Sequence, residues 1–177
     1  MKISLNTIFK PKLIFNKRIF FCQIGKNGII PQYKKKEGDK KTPIGKWKIE
    51  NIFIRRDKNL KIKLNFFLRN KLIYINKNLI WCDDKNSNSY NRLIKQKKPT
   101  KDSSFSYENL YRDDDVYDIL LTLNHNKNPT IKNKGSAIFI HCSFQDFRST
   151  LGCIALKKNN LKFLINNLQT RNYIYIR

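Results

Sequence analysis

The sequence predicts a mainly β fold, organised as a sandwich or a closed sheet. Short apolar runs of strand length recur along the chain, and only one segment shows the three-to-four-residue repeat of an amphipathic helix. The 177 residues include five prolines and six glycines, and no linker rich in Ser or Gly divides them. A chain of this length buries a sizeable core, so residues 1–177 are expected to form a single domain.

The predicted strands are rich in branched and aromatic residues, which fit a pleated and partly buried surface. They run from Arg18 to Ile24, Lys46 to Phe53, Leu60 to Phe67, Leu72 to Ile75, Val116 to Leu123, Ala137 to Cys142 and Asn172 to Ile176. The helix follows Asn159, and its apolar face is formed by Leu161, Leu164, Ile165 and Leu168. The lysine-rich segment from Lys95 to Ser104 is predicted to be a loop.

One histidine and one cysteine near the end of the chain suit nucleophilic chemistry. His141 closes an apolar strand, and Cys153 follows twelve residues later, directly behind Thr-Leu-Gly. Side chains alternate along a strand, so His141 and Cys142 point to opposite faces, whereas Cys153 arrives from a loop. A histidine near neutral pH is the usual base for a thiol. These residues predict a Cys153–His141 pair; the alternative is a core histidine beside an inert thiol.

The turn before Cys153 suits close approach by a substrate. Gly152 permits a tight backbone there. The backbone N–H of Cys153, together with that of Gly152 or Leu151, is predicted to form an oxyanion hole.

Thr150-Leu-Gly-Cys-Ile154 resembles the [Ser/Thr]-x-Gly-Cys-apolar signature of L,D-transpeptidase (YkuD-type) catalytic domains, with His141 in the place of the upstream histidine. Further segments follow in the expected order between about Gly38 and Leu156. The segment from Glu37 to Gly45 is similar to the family's early Gly-Asp-x-x-Thr-Pro-x-Gly turn. Marks of a compact branch of the family are Trp81–Asp84, Tyr90–Leu93, Leu110–Asp114 and Asn124–Asn126.

The resemblance implies a β-sandwich-like domain with one or two short helices, and an enzyme that needs no cofactor. It implies that Cys153 attacks a peptidoglycan stem peptide where the L-centre of a diamino acid joins a terminal D-alanine. His141 protonates the leaving group, and an amine from a second stem resolves the thioester into a 3→3 cross-link. A free D-amino acid gives exchange instead, and water gives an L,D-carboxypeptidase; the sequence leaves these open.

Two positions depart from the family pattern. The spacing from His141 to Cys153 is short, which suggests a trimmed loop over the site, and Ala155 stands where the family often has Arg or Asn. A second reading from another class is therefore a non-catalytic module that binds the cell wall or nucleic acid. The presence of both His141 and Cys153 opposes that reading.

Substrate contacts are predicted from side chains around the pair. The candidates are Ser149, Thr150, Arg112, Arg148 and His125. For His125, lining the pocket and capping a turn are equally favoured. The acidic pairs Asp83-Asp84 and Asp113-Asp114 are expected to tether turns.

The net charge of +24, from 37 Lys and Arg against 13 Asp and Glu, raises the question of nucleic-acid binding. The lysines are scattered, and the chain is also rich in Asn and Ile, as AT-rich coding favours. A specific nucleic-acid partner is therefore not expected, and a basic surface equally suits an anionic wall polymer. A monomer is expected.

The four cysteines do not specify a disulfide framework. Cys22 and Cys82 are expected to be buried thiols. No Cys-x-x-Cys or His-x-x-x-His spacing supports a metal site built from Cys142, Cys153, His125 and His141.

The family implies a periplasmic or cell-envelope location. The basic N-terminal segment has no uninterrupted apolar region and no small-residue cleavage site, and no segment is long enough to span a membrane. A cytoplasmic location, or a start further upstream, therefore stays open.

Overall fold

The computed structural model describes residues 11–97, 105–169 and 173–177. The described residues are mainly β, which confirms the predicted fold class. Their strands are β1 (Lys12–Phe15), β2 (Arg18–Gln23), β3 (Ile29–Pro31), β4 (Thr42–Ile54), β5 (Leu72–Tyr74), β6 (Leu79–Cys82), β7 (Arg92–Lys95), β8 (Tyr107–Asn109), β9 (Ile119–Leu123), β10 (Phe139–Cys142), β11 (Ile154–Leu156) and β12 (Tyr173–Ile176). One α-helix, α1 (Lys158–Asn166), and three short 3-10 turns complete them.

The larger sheet has the strand order β1-β2-β11-β10-β9-β4-β12, and β3 and β5 also pair with β4. β4 is long enough to pair with β12 through its first half and with β9 through its second half. β10 and β11 lie side by side and are parallel, whereas β10 and β9 are antiparallel. The centre of this sheet therefore holds the two strands that carry the predicted catalytic segment.

The smaller sheet has the order β7-β6-β8 and covers one face of the larger one. Between them, Trp81 of β6 packs against Phe53 of β4 and Phe139 of β10 in one apolar core. On the opposite face of the larger sheet, α1 buries Leu161, Leu164 and Ile165 in a second core. The architecture is thus two sheets and a helix, with the larger sheet in the middle.

Most of the predicted strands are present with small shifts of their ends, and α1 buries most of the predicted apolar face. The predicted strand from Leu60 to Phe67 is wrong. Leu60, Ile62 and Leu64 do pack against the helix-side core. The backbone of this segment pairs with no strand, and the Lys63 N–H donates instead to Asn166 Oδ1 at 2.9 Å. A 3-10 turn begins at Phe66.

None of the three strands of the smaller sheet, each of three or four residues, was predicted from the sequence. β11 was not predicted either: Cys153 directly precedes this strand, and α1 begins only after it. Residues 98–104, most of the predicted lysine-rich loop, lie outside the described residues.

Candidate active site

The register of β10 and β11 brings the predicted pair together. Ile140 pairs with Ile154 and His141 pairs with Ala155, so Cys153, just before β11, lies beside Phe139. Because side chains alternate along each strand, Cys153 and His141 share the face that looks toward the smaller sheet. Cys142 lies on the opposite face in the helix-side core, as the alternation predicts.

Cys153 and His141 both line a cavity of about 720 Å³. Its walls come from several parts of the chain. The loop between β3 and β4 contributes Lys35 and Glu37, and the smaller sheet contributes Glu108. The segment between β8 and β9, the segment entering β10 and the segment between β10 and β11 contribute most of the remaining wall. The pair therefore opens into a space that is large enough for part of a peptide.

The Cys153 thiol is held by the backbone of the segment entering β10. Its Sγ lies 3.0 Å from the Ala137 carbonyl oxygen, which accepts the S–H, and the Phe139 N–H donates to the sulfur at 3.3 Å. Burial raises the pKa of the Cys153 thiol to about 12, although the Phe139 N–H opposes this. The resting cysteine is therefore a thiol at neutral pH and needs a base before it can attack.

His141 is oriented by a carbonyl group and has no carboxylate partner for its ring. Its Nδ1 lies 2.8 Å from the Cys142 carbonyl oxygen. A carbonyl only accepts, so Nδ1 carries the hydrogen and Nε2 keeps a lone pair. The side chain is 3 % exposed, and burial lowers the pKa of His141 to about 4. The imidazole is thus neutral at pH 7 and able to accept a proton through Nε2.

The turn that carries Cys153 is fixed by hydroxyl groups. Thr150 Oγ1 accepts from the Gly152 N–H at 3.2 Å and donates to the Cys153 carbonyl at 2.7 Å. Thr42, from the early turn, donates to the Gly152 carbonyl at 2.9 Å. Gly152 has φ +140°, and a Cβ there would lie 3.1 Å from the Lys41 carbonyl oxygen. A glycine is therefore required where the two segments meet.

These hydrogen bonds reduce the number of backbone N–H groups that could form the predicted oxyanion hole. The Gly152 N–H already donates to Thr150, so it is not available to a substrate in this arrangement. The amides of Leu151 and Cys153 remain as candidates from the predicted set.

The early loop is tied to the cavity through Asp39. Its carboxylate accepts from the backbone N–H groups of Lys36 and Lys41, and it pairs with Lys35 Nζ at 2.5 Å. Burial acts to raise the pKa of Asp39, but these hydrogen bonds and the Lys35 charge outweigh it and the pKa is lowered. Lys35 is almost fully buried and lines the cavity, so a paired cation lies in its wall.

Asn91 connects the smaller sheet to the segment that enters β10. Its Oδ1 accepts from Trp81 Nε1 and from the Ala137 N–H, both at 3.1 Å. Its Nδ2 donates to the carbonyl oxygens of His125 and Asn126. Asn91, from the Tyr90–Leu93 motif, therefore supports Ala137, whose carbonyl oxygen accepts a hydrogen bond from the Cys153 thiol.

Four of the five predicted substrate-contact residues line the cavity: Arg112, Arg148, Ser149 and Thr150. Thr150 is buried, and its hydroxyl already forms two hydrogen bonds within the turn. Arg112 pairs with Asp114 through two hydrogen bonds. Arg148 is mostly exposed and stacks on the Phe144 ring at 4.0 Å, so of the two arginines it has the less constrained charge.

His125 is the fifth predicted contact residue, and it does not line the cavity. It is buried, with Nε2 3.0 Å from the Lys134 carbonyl oxygen and its ring edge-on to Trp47. Burial lowers the pKa of His125 to about 4. The turn-supporting interpretation of this histidine therefore matches its position.

Sequence reasoning missed several polar residues of the cavity wall. Glu37, Asp83, Glu108 and Ser136 all line it. Asp83 was expected only to tether a turn. Its distance of two residues from the buried Trp81 was the available signal, since it places both side chains on one face of β6 and its continuation.

Among the described residues, no group of three or more His, Cys, Asp or Glu side chains is placed to hold a metal ion. The described helices include none that is both long and apolar enough to cross a membrane.

Comparison with known proteins is consistent with this geometry. No curated protein and no solved structure gives a significant match. The L,D-transpeptidase catalytic domain family, YkuD, matches residues 10–176, nearly the whole chain. The segments that resemble the family in the sequence, from the early Thr-Pro turn to the cysteine turn, lie within that match. The chain therefore belongs to the YkuD family of L,D-transpeptidase catalytic domains.

Proposed function

We propose that this protein is a cysteine-dependent L,D-transpeptidase that acts on peptidoglycan stem peptides through a thioester on Cys153. The family acts on peptidoglycan peptides, and the specific chemistry is proposed from this chain's own residues. The observation that carries it is the placement of Cys153 and His141 on one face of adjoining strands, opening into one cavity.

In the first half-reaction, the Cys153 sulfur attacks the carbonyl carbon between the diamino acid and the terminal D-alanine. The S–H proton passes to His141 Nε2, which is the nitrogen left with a lone pair. The backbone N–H groups of Leu151 and Cys153 stabilise the oxyanion. The intermediate then collapses, and D-alanine leaves with the proton that Nε2 held, so the thioester and neutral imidazole remain.

In the second half-reaction, the side-chain amine of another stem attacks the thioester carbonyl. The amine loses a proton to Nε2, the carbon–sulfur bond breaks, and the thiolate recovers a proton from the imidazolium. The product is the 3→3 cross-link. A free D-amino acid in place of the stem amine gives exchange, and water gives the carboxypeptidase reaction. We place this activity in the cell envelope, with which the family is associated.

Intact-mass analysis tests the thioester step. Incubation with a carbapenem should add one acyl group per chain, and none to the Cys153→Ala variant. A stem tetrapeptide ending in D-Ala should release D-Ala, while the same stem ending in L-Ala should be left intact. Dimer formation in the presence of an acceptor stem supports transpeptidation. Release without a dimer favours the carboxypeptidase.

A protein that is not acylated by either reagent contradicts the proposal. Tight binding to a nucleic acid that resists salt, together with that result, would favour the non-catalytic module, because binding by counterion release alone is lost as salt rises.

A further inference from the structure

An acidic wall lines one side of the cavity, and we define it as Glu37, Asp83 and Glu108. The chain has only 13 acidic residues against 37 basic ones. Three of these carboxylates nevertheless face the cavity that holds the candidate nucleophile. The cavity is also lined by basic residues, namely Lys26, Lys35, Lys40, Arg112 and Arg148, so the acidic wall is a local feature of a cavity of mixed charge.

The wall is adjacent to Cys153 through the packing of the two sheets. Glu108 pairs with Trp81 across β8 and β6, and the Trp81 ring lies edge-on to Phe139, with centroids 5.0 Å apart. Phe139 is the residue whose N–H donates to the Cys153 sulfur. Asp83 directly follows β6, and its N–H donates to the Ser106 carbonyl, which fixes its position next to Glu108.

The wall's carboxylates are only partly neutralised by the described residues. Glu37 accepts a hydrogen bond from the Tyr90 hydroxyl, and Glu108 accepts from Tyr117 at 3.3 Å. Arg112 Nη1 is 4.0 Å from Glu108, but that guanidinium is committed to Asp114. The Asp83 carboxylate interacts with the Ser106 side chain, but its Oδ1 is buried and has no hydrogen-bond partner among the described residues.

The raised pKa values of two carboxylates in the acidic wall indicate that a bound cation would stabilise their charged forms. Burial raises the pKa of Glu108, and the charge of Asp83 adds to that effect. Burial also raises the pKa of Asp83; the Ser106 hydrogen bond opposes this, and the charge of Glu37 adds to it. Buried like charges destabilise one another unless a positive group joins them.

Ser136 provides an independent observation in the same cavity. It is 7 % exposed and lines the cavity. Its Oγ interacts with the Tyr90 hydroxyl but forms no hydrogen bond of good geometry within the described residues. A hydroxyl oxygen accepts hydrogen bonds as a carboxylate does. An ammonium group has three donors and no acceptor, so it matches a wall that offers buried acceptors.

We infer that the acidic wall binds the free side-chain ammonium of the diamino acid in the donor stem peptide, an inference that rests on the proposed function. The same residue supplies the carbonyl that Cys153 attacks. Binding of its ammonium beside Cys153 positions that carbonyl carbon for attack by the sulfur. A stem peptide without a free ammonium binds more weakly. Asp83 and Glu108 are the specificity-determining residues in this arrangement.

Equilibrium binding to the Cys153→Ala protein tests this without turnover. Two probes are compared: a stem tetrapeptide with a free side-chain amine, and the same peptide acetylated on that amine. The free peptide should bind at least about tenfold more tightly, as expected for a charge-assisted hydrogen bond. Equal affinities would overturn the inference, and this comparison needs no change to the wall.

Adding Asp83→Asn and Glu108→Gln should bring the ratio of the two affinities close to one, by weakening only the free peptide. Glu50→Gln is the matched control, because Glu50 faces Lys127 at 3.9 Å and does not line the cavity; it should leave the ratio unchanged. A ratio that survives the double substitution would locate ammonium binding elsewhere and overturn the inference. Carbapenem acylation of the native protein is scored separately, so that failure of the catalytic proposal and failure of the ammonium site are distinguished.

Discussion

Thr42 Oγ1 donates a hydrogen bond of 2.9 Å to the carbonyl oxygen of Gly152, a residue 110 positions further along the chain. The same hydroxyl accepts from the Gly25 N–H at 2.9 Å. One fully buried side chain therefore connects the early turn, the segment that follows β2 and the turn that carries Cys153.

Replacing Thr42 by Val should destabilise the protein and slow acylation of Cys153. The change keeps the shape but leaves the Gly25 N–H and the Gly152 carbonyl without this partner, which costs about 1–3 kcal/mol. Urea denaturation measures the free energy of unfolding. Thr42→Ser keeps the hydroxyl and should lose only the contribution of one methyl group, about 0.8 kcal/mol. Equal stability of the Val and Ser variants would show that the hydrogen bonds contribute little.

Cys153 should be the first of the four thiols to react with iodoacetamide in the folded protein. Cys22, Cys82 and Cys142 are buried, whereas Cys153 is partly exposed and faces the cavity. Peptide mapping after brief labelling identifies the site. Cys153→Ala should abolish this early label and carbapenem acylation, while Cys22→Ala and Cys142→Ala keep both. A rapid label on Cys142 would contradict the assignment.

Replacing His141 by Ala should slow acylation roughly 10²–10⁴-fold, the usual contribution of a positioned general base. In the native protein the base must be neutral, and the pKa of His141 is about 4. The acylation rate should therefore be flat through neutral pH and fall as the pH drops through about 4. Stopped-flow acylation at a series of pH values measures this. An inflection near pH 6.5 would indicate that His141 titrates as an exposed imidazole does.

Replacing His125 by Gln should change the pH dependence of stability without removing acylation. Burial lowers the pKa of His125 to about 4, whereas the unfolded value is about 6.5. Between these values the unfolded chain binds the extra proton, so stability falls as the pH is lowered, by up to about 1.4 kcal/mol per pH unit for one histidine.

The measurement is the difference in unfolding free energy between the native and His125→Gln proteins at pH 7 and at pH 5. The gap should narrow at pH 5, because only the native protein loses the contribution of His125. A loss of acylation as large as that of His141→Ala would mean that His125 acts in the chemistry.

Local patterns in the sequence were sufficient to predict the parts of the site that depend on them. Strand alternation separated His141 from Cys142, and the helical repeat placed α1. The resemblance to the family is confirmed by the match over residues 10–176. It depended on short motifs and on their order along the chain, both of which can be read directly from the sequence. The identity of the nucleophile and the base remains a prediction.

The features of the site that were not predicted depend on contacts between residues far apart in the sequence. β6 pairs with β8, and their residues are separated by more than twenty positions that carry no local signal for the contact. Asp83 and Glu108 therefore could not be brought together from the sequence. Packing likewise placed His125 under Trp47, and the hydrogen bond from Gly152 to Thr150 removed one predicted oxyanion donor.

The division of the cavity between two sheets has a consequence for how this domain can diverge. The proposed nucleophile Cys153 and base His141 lie beside or on strands of the larger sheet, whereas Asp83 and Glu108 lie beside or on strands of the smaller one. Asn91 and the Trp81–Phe139 contact join the two sheets at a few defined points. Substitutions in the smaller sheet that spare those points would therefore alter the wall of the cavity while Cys153 and His141 keep their positions.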